Sequence, residues 1–514
     1  MAKNIHGRSH LFPVEWSTRS AVVVEPSGVV VTYSELEERS NQVAQFLRTH
    51  GARPGDTIAI LVENRAEFFE IAWGAQRSGL HYVAVNTHLA LPEVEYVLRD
   101  SRPVVVFSSA AQAEIASEAT PDFSPVRVMI DRPEAYCEHW LDYATAIAAQ
   151  PACPISDQCE GDFLLYSSGT TGRPKGIVRP LTGTPLGTYV DRPAMWLTES
   201  LGFLSGDTFL SPAPLYHAAP LAWTMAVNRL GGTVVVMESF DAAHAVELIE
   251  LHRVTHSQWV PTMFVRMLKL DPQVKSMYDL SSHRAAVHAG APCTVDVKHA
   301  MIDWWGPQIY EFYSNTEGVG ATFISPEEWL ERPGSVGRPA MGTLTIVGED
   351  RDLLPGEVGT ICFSGTPSFE YRGDPGKTAA TIFNDGRATV GDLGYVDEDG
   401  YLFVSGRRAD LIISGGVNIY PQEVENVLIM HPAVLDVAVV GAPDNDMGET
   451  VVAFVETVEP DPNEQLAVEL REFCRKSLAG IKVPRRIEFV LGVPRTPTGK
   501  LRRRDLAVDS SPKS

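Results

Sequence analysis

Ser167, Ser168, Gly169, Thr170, Thr171 and Gly172 stand in one run, and Arg173, Pro174 and Lys175 follow directly. Hydroxyls, glycines and a cation at this density suit the holding of an anion. Backbone N–H groups left open by glycine and two threonine hydroxyls can converge on its oxygens, while the lysine supplies charge. The strand-like stretch DFLLYSS (162–168) feeds the run and would aim it. This is not the G-x-x-x-x-G-K-[ST] phosphate loop, because the lysine follows a proline and Gly176 stands where a magnesium-binding hydroxyl is required. The pattern G-x-G-x-x-G is also missing, so a dinucleotide fold is unsupported.

Six further segments follow in order: PLYHAAP (214–220), HAGAP (288–292), YSNTE (313–317), GDLGYVDEDGY (391–401), GRRADLIISGGVNIYPQEVE (406–425) and PRTPTGKLRR (494–503). Together with SSGTTGRPKG they resemble the ordered motifs of the adenylate-forming superfamily, which holds acyl-CoA synthetases, amino-acid adenylation domains and firefly-type luciferases. The resemblance runs from about residue 15 to 504 and points to an AMP-forming acyl-CoA synthetase, an acid–thiol ligase. Such chemistry answers a physical problem. A carboxylate repels nucleophiles and offers a poor leaving group, and adenylation by ATP cures both faults. Bringing a carboxylate to a polyphosphate in turn demands cations and aimed donors.

The resemblance implies a role for each part. Ser167, Thr170, Thr171 and Lys175 would hold the β- and γ-phosphates, Thr316 the α-phosphate, and Glu317 a Mg²⁺ ion, whose hard-cation chemistry suits a carboxylate. Tyr313 would lie against adenine beside Ser314 and Asn315, with Gly290 and Ala291 leaving room for the ring. Asp392 would accept the ribose hydroxyls, Arg407 would sit near ribose and phosphate, and Lys500 would bridge the acid and the α-phosphate. For coenzyme A, Gly415 and Gly416 would admit the pantetheine arm, and Lys482 and Arg485 would meet its phosphates. The chain departs from the pattern at the pivot following the hinge arginine, where Ala409 replaces the usual Asp or Lys. Ser314 and His288 are milder departures.

His217 occupies the place where amino-acid-activating relatives carry an aspartate, which argues against an α-amino acid and sets His217 beside the carboxyl or thiol path. Trp223, Trp259, Thr262 and Met263 are candidate acyl-pocket liners, so a fatty, steroid or terpenoid acid suits the pocket better than acetate. The expected activity is conversion of a bulky apolar acid with Mg-ATP to acyl-AMP and pyrophosphate, then acyl transfer to CoA by domain alternation. Alternatives are a ligase running mainly the second half-reaction and an acyl-AMP ligase feeding a carrier protein. From another class, a nucleotide-binding regulator is opposed by the intact Glu317, Asp392 and Lys500.

These residues need a layered scaffold, and the pattern supplies one. Thr32 and Glu35 have capping-box spacing ahead of Leu36, Val43, Ala44 and Leu47 on one helical face, with Gly51 as the stop. TIAILV (57–62), a helix over 63–79 and HYVAV (81–85) form a βαβ unit, and PVVVF (103–107) suggests another. From about 343, TLTIV, GTICFSG and GYLFVSG read as a small β-rich subdomain. PQEVENVLIM, VLDVAVVGA, TVVAFVETV and EQLAVELREFCRKSLAG read as a compact α+β domain. The expected class is α/β: an N-terminal adenylate-forming domain over 1–406 and a mobile C-terminal domain over 407–514.

Composition sets the outer limits. The 514 residues carry 43 Lys+Arg against 65 Asp+Glu, a formal charge of −22 that disfavours nucleic acid and anionic membrane. A basic cluster between Arg471 and Arg504 faces only Glu472 and Glu488 in its own stretch, which suits either a solvated tail and helix surface or contact with a polyanionic small molecule. Six scattered cysteines form no metal spacing and suit a reducing compartment. With no leader-like start and no apolar run of membrane length, the expected location is the cytoplasm, without membrane insertion. The expected partners are a small carboxylic acid, ATP and CoA, and a homodimer is compatible with this reading.

Overall fold

The computed structural model describes residues 11–119, 125–167, 174–188, 192–444, 446–458, 462–495 and 501–506, without the side chains of Ser167 and Arg504. The chain divides into two compact units. The first comprises Met1–Trp259, Asp271–Ala286 and Ser368–Ala380; the second comprises Val260–Leu270, Val287–Pro367 and Thr381–Ser514.

In the first unit the helix Tyr33–Thr49 opens with the expected capping box. The Thr32 hydroxyl accepts the Glu35 N–H at 3.3 Å, and the Glu35 carboxylate accepts the Thr32 N–H at 2.8 Å. Leu36, Val43, Ala44 and Leu47 are wholly buried, as their spacing predicts. This face meets the helix Ala66–Arg77 at Gly74, where a Cβ would stand 2.4 Å from Val43 Cγ1. The second helix begins at Ala66, three residues later than the sequence suggests. Asn64 is held elsewhere: its amide donates to the carbonyls of Ala213 and Met237, and its oxygen accepts the Leu215 N–H.

The helix Ala66–Arg77 packs on an eight-stranded sheet. Its order is Glu370–Tyr371, Lys175–Val178, Asp162–Ser167, His81–Ala84, Thr57–Leu61, Val105–Ser109, Val126–Ile130 and Leu141–Asp142. The inner strands are parallel and buried along their length, as apolar runs without alternation require. Asp162–Ser167 then pairs antiparallel with Lys175–Val178, Ser167 opposite Lys175, so the residues flanking the Gly/Thr run are carried by sheet on both sides. Ser20–Glu25, Thr233–Met237, Thr208–Ser211 and His256–Trp259 run parallel in a second sheet.

The second unit holds the two smaller bodies expected from the change in texture. Thr343–Val347, Gly359–Ser364, Asp392–Val396 and Leu402–Arg407 form a four-stranded antiparallel sheet. Ile412–Ser414, Val417–Ile419, Val434–Asp444, Gly448–Thr457 and Arg486–Phe489 form a five-stranded sheet covered by the helices Pro421–Leu428 and Glu464–Arg475. Ile412, Val424, Leu428, Val437 and Leu470 pack together as the core of that α+β body.

One buried acid makes the first unit sensitive to pH. Burial pushes the Glu70 carboxyl from an ordinary 4.5 up to about 7, against the pull of Arg39 at 3.4 Å and the Tyr143 hydroxyl. The folded chain therefore holds a proton that the unfolded chain releases, and stability is lost as pH rises from the unfolded value through the folded one. Between pH 5 and 8 the wild type should lose about 2–3 kcal/mol that Glu70→Gln does not, measured by urea denaturation of both proteins.

Candidate functional site

Tyr313, Asp392 and Arg407 come together in the second unit. Tyr313 lies near the end of the strand Ile309–Ser314, Asp392 opens the strand Asp392–Val396, and Arg407, at the end of the antiparallel strand Leu402–Arg407, is its direct cross-strand neighbour. The Tyr313 phenol donates to Asp392 Oδ2 at 2.6 Å, and Arg407 Nε donates to Oδ1 at 3.1 Å. Burial first, and then the Asp392 charge, push the Tyr313 phenol well above its ordinary value, so it acts as a neutral donor. The Asp392 carboxylate is buried, whereas Arg407 is half exposed. The Glu317 charge acts on both Tyr313 and Arg407, which places it in the same electrostatic neighbourhood.

The turn between Tyr313 and the next strand is built by its own side chains. Ser314 Oγ donates to the Gly320 carbonyl at 2.9 Å, and Asn315 Oδ1 accepts the Val319 N–H at 3.0 Å. Gly320 has no room for a side chain, since a Cβ would fall 2.1 Å from the Phe363 ring. The hydroxyl of Ser314 thus closes the turn on which Thr316 and Glu317 stand, a function its spacing did not reveal. Gly290 adopts φ +87°, and Val260 is 3.7 Å from where its Cβ would be, so the backbone angle rather than crowding calls for glycine.

The first unit places Lys175 in a cleft of about 370 Å³ with Tyr96, Asp100, Tyr371, Arg372 and Asp374. The Lys175 ammonium is 4.0 Å from the Asp374 carboxylate and 5.8 Å from the centre of the Tyr371 ring. His217 is half-buried and immediately precedes the helix Ala218–Arg229. On that helix Trp223 is buried, stacking on Phe209 with ring centres 6.2 Å apart. Trp259 is buried as well, and its indole donates to Ser257 Oγ at 2.5 Å. Thr262 and the buried Met263 belong to the helix Pro261–Leu268 of the second unit. Thr170, Thr171, Lys500 and the side chain of Ser167 lie outside the described residues.

Gly415 and Gly416 form a two-residue hairpin turn between Ile412–Ser414 and Val417–Ile419, with φ of +54° and +78°. Positive angles at both positions make glycine the fitting choice. The basic cluster, in contrast, is not bare. Lys482 pairs with Glu423, Arg485 with Asp444, Arg471 with Glu464, Arg486 with Glu488 and Arg495 with Asp436. Most of these carboxylates come from outside the basic stretch, where inspection of that stretch alone could not find them. Beside Ala409, in the turn Arg408–Asp410, Asp410 accepts from Arg503 at 3.2 Å.

Residues 14–370 match the family model of the AMP-binding enzyme, and residues 423–500 match that of the AMP-binding enzyme C-terminal domain. The chain belongs to the AMP-binding enzyme family. This is the adenylate-forming superfamily of AMP-forming acid–thiol ligases, with a large N-terminal α/β domain and a smaller C-terminal one. Among its relatives, the fatty acid–[acyl-carrier-protein] ligase ScoC of Streptomyces coeruleorubidus is 34% identical over 505 residues, spanning 95% of this chain and 93% of the relative. The long-chain-fatty-acid–CoA ligase FadD13 of Mycobacterium tuberculosis is 32% identical, spanning 94% of each chain. The crystal structure of the anthranilate CoA ligase AuaEII in complex with anthranoyl-AMP superposes with a TM-score of 0.81 at 27% identity, covering 96% of this chain and 94% of that one. Among the described residues no helix is long and apolar enough to cross a membrane.

Arg503 binds both oxygens of the buried Glu425 carboxylate, at 2.7 and 2.9 Å, in addition to Asp410. Replacing Arg503 with Met strands that carboxylate in the core and should cost about 3–5 kcal/mol of stability in denaturant titration. The double variant Glu425→Gln with Arg503→Met should recover most of the loss, since no buried charge then lacks its partner.

Proposed function

We propose that the chain activates a bulky apolar carboxylic acid as its acyl-AMP and passes the acyl group to the thiol of coenzyme A. The observation that carries this reading is the Asp392 carboxylate, buried and directed by a neutral phenol on one oxygen and a guanidinium on the other. A carboxylate has about four lone-pair positions, so two donors leave room for a pair of ribose hydroxyls. Tyr313 then presents its ring to adenine, and Gly290 and Ala291 form the facing wall.

In the first step an oxygen of the acid attacks the α-phosphorus and pyrophosphate leaves. Lys175 and the hydroxyls of Ser167, Thr170 and Thr171 hold the departing phosphates, Thr316 holds the α-phosphate, and Lys500 neutralises the meeting of two anions. Glu317 is suited to a Mg²⁺ ion. Among the described residues no three acidic, histidine or cysteine side chains converge, which fits a hard cation taking one carboxylate and completing its shell from phosphates. Bound there, it would screen the phosphate charge.

In the second step the thiol attacks the acyl carbon and AMP leaves. His217 borders that path, Trp223, Trp259, Thr262 and Met263 face the acyl chain, and the Gly415–Gly416 turn admits the pantetheine arm. Lys482 and Arg485 meet the CoA phosphates by exchanging their present carboxylate partners. The two steps use two orientations of a C-terminal domain beginning at 407, with the turn Arg408–Asp410 as pivot. A carrier-protein thiol is the second reading. The ion pairing of the basic cluster favours it by removing the clearest attraction for free CoA, and one relative is named as a carrier-protein ligase.

Incubation with Mg-ATP, a panel of medium-chain, long-chain and polycyclic acids, and either CoA or a phosphopantetheinylated carrier separates these readings by mass spectrometry. AMP and acyl-CoA are expected; AMP with acyl-carrier alone would select the second reading, and ADP would refute both. Lys500→Ala should lower acyl-AMP formation about 10²- to 10³-fold while leaving thioester formation from supplied acyl-AMP nearly intact.

A further inference from the structure

A buried side chain opens the HAGAP segment and another stands on the helix after it, and both approach one carboxylate. His288 opens the segment, and Lys298 lies on the helix Val295–Trp305 that follows it. His288 Nε2 stands 3.3 Å from Glu311 Oε2, and Lys298 Nζ stands 2.8 Å from the same oxygen. The side chains of His288 and Lys298 are 0% exposed and that of Glu311 is 8% exposed. Aromatic rings complete the enclosure, with Phe264 edge-on to His288 and Trp329 4.7 Å beneath the Lys298 ammonium.

Glu311 also belongs to the strand Ile309–Ser314, two residues before Tyr313, so both side chains leave the strand on the same face. One carboxylate therefore ties together the start of the loop, the helix after it and the strand that carries the tyrosine. Burial works against the Glu311 charge, and Lys298 and His288 more than offset it, so the carboxyl is held below its ordinary range, while burial holds the His288 imidazole below its own and favours its neutral form. An ion pair in such a site adds little net stability compared with apolar side chains of similar volume. Its distinguishing effect is geometric, because displacing Lys298 from Glu311 would leave a charge in the core without its partner, while the imidazole of His288 packs against the same carboxylate.

We infer that Glu311 is a positioning residue for the nucleotide, setting the path of residues 289–292 against Tyr313 through His288 and Lys298. This rests on the reading that Tyr313 and the Gly290–Ala291 backbone hold adenine. It adds that the adenine slot is shaped from below by a charge cluster that never touches the ligand.

The test uses the full chain with Mg-ATP as probe and compares Glu311→Asp, the double variant Lys298→Met with Glu311→Leu, and Tyr313→Ala. Melting temperature, the dissociation constant of ATP by calorimetry, and separate KM values for ATP and acid in pyrophosphate exchange are read for each. The double variant has no unpaired carboxylate or ammonium, and Glu311→Asp keeps the charge while shortening its reach, so one folded variant suffices. Either should weaken ATP about 10- to 100-fold, as misplacement by a fraction of an ångström to an ångström does, while the acid KM stays within about threefold. ATP affinity within about twofold of wild type in a folded variant overturns the inference, as does a parallel rise in both KM values. If Tyr313→Ala weakens ATP and the Glu311 variants do not, the positioning role alone falls. If Tyr313→Ala leaves ATP affinity unchanged, the adenine assignment falls and the inference goes with it.

Discussion

A single carboxylate organises the second unit. Asp392 is buried at the first residue of its strand, and a buried carboxylate is tolerable only when donors surround it. The phenol of Tyr313 and the guanidinium of Arg407 meet that need. In doing so they fix the end of the 309–314 strand against the four-stranded sheet, and they fix the last residue before the turn at 408–410. The turn bearing Thr316 and Glu317, and the exit toward the α+β body, both take their positions from this arrangement.

Other buried charges in this unit follow the same logic with different outcomes. Both Glu425 oxygens accept from Nη2 of Arg503, one of them also accepts the Val439 N–H at 2.8 Å, and Arg503 Nη1 extends the contact to Asp410. This connects the core helix of the α+β body with the turn that contains Ala409. An alanine at that position lacks a polar side chain, and the neighbouring Asp410 makes the ionic contact instead. The turn therefore keeps an ionic contact although Ala409 itself offers none.

Local features were legible in the residues wherever their cause was local. The capping box at Thr32 and Glu35 and the buried strand Thr57–Leu61 depend on neighbours within a few positions. The helix start at Ala66 was not legible, because Asn64 is engaged by carbonyls 149 and 173 residues away. The charge partners were hidden for the same reason: Lys482 meets Glu423 at a separation of 59 residues, and Arg485 meets Asp444 at 41. Motif order named Tyr313, Asp392 and Arg407 together, and their side chains are in hydrogen-bonding contact. It did not disclose Glu311 and Lys298, whose residue types are ordinary on a surface and unusual only once their burial is known.

The ion pairing of the basic cluster alters how that surface is felt from outside. A cation beside its own anion presents a dipole to solvent, and a dipole's field dies away faster than that of a bare charge. The surface would therefore do little to draw a polyphosphate in from a distance. A phosphate that arrives must displace a resident carboxylate, so one ion pair is traded for another and few bulk counterions are set free. Recognition there would depend on fit at contact, and its dependence on ionic strength would be shallow where a bare basic face would give a steep one.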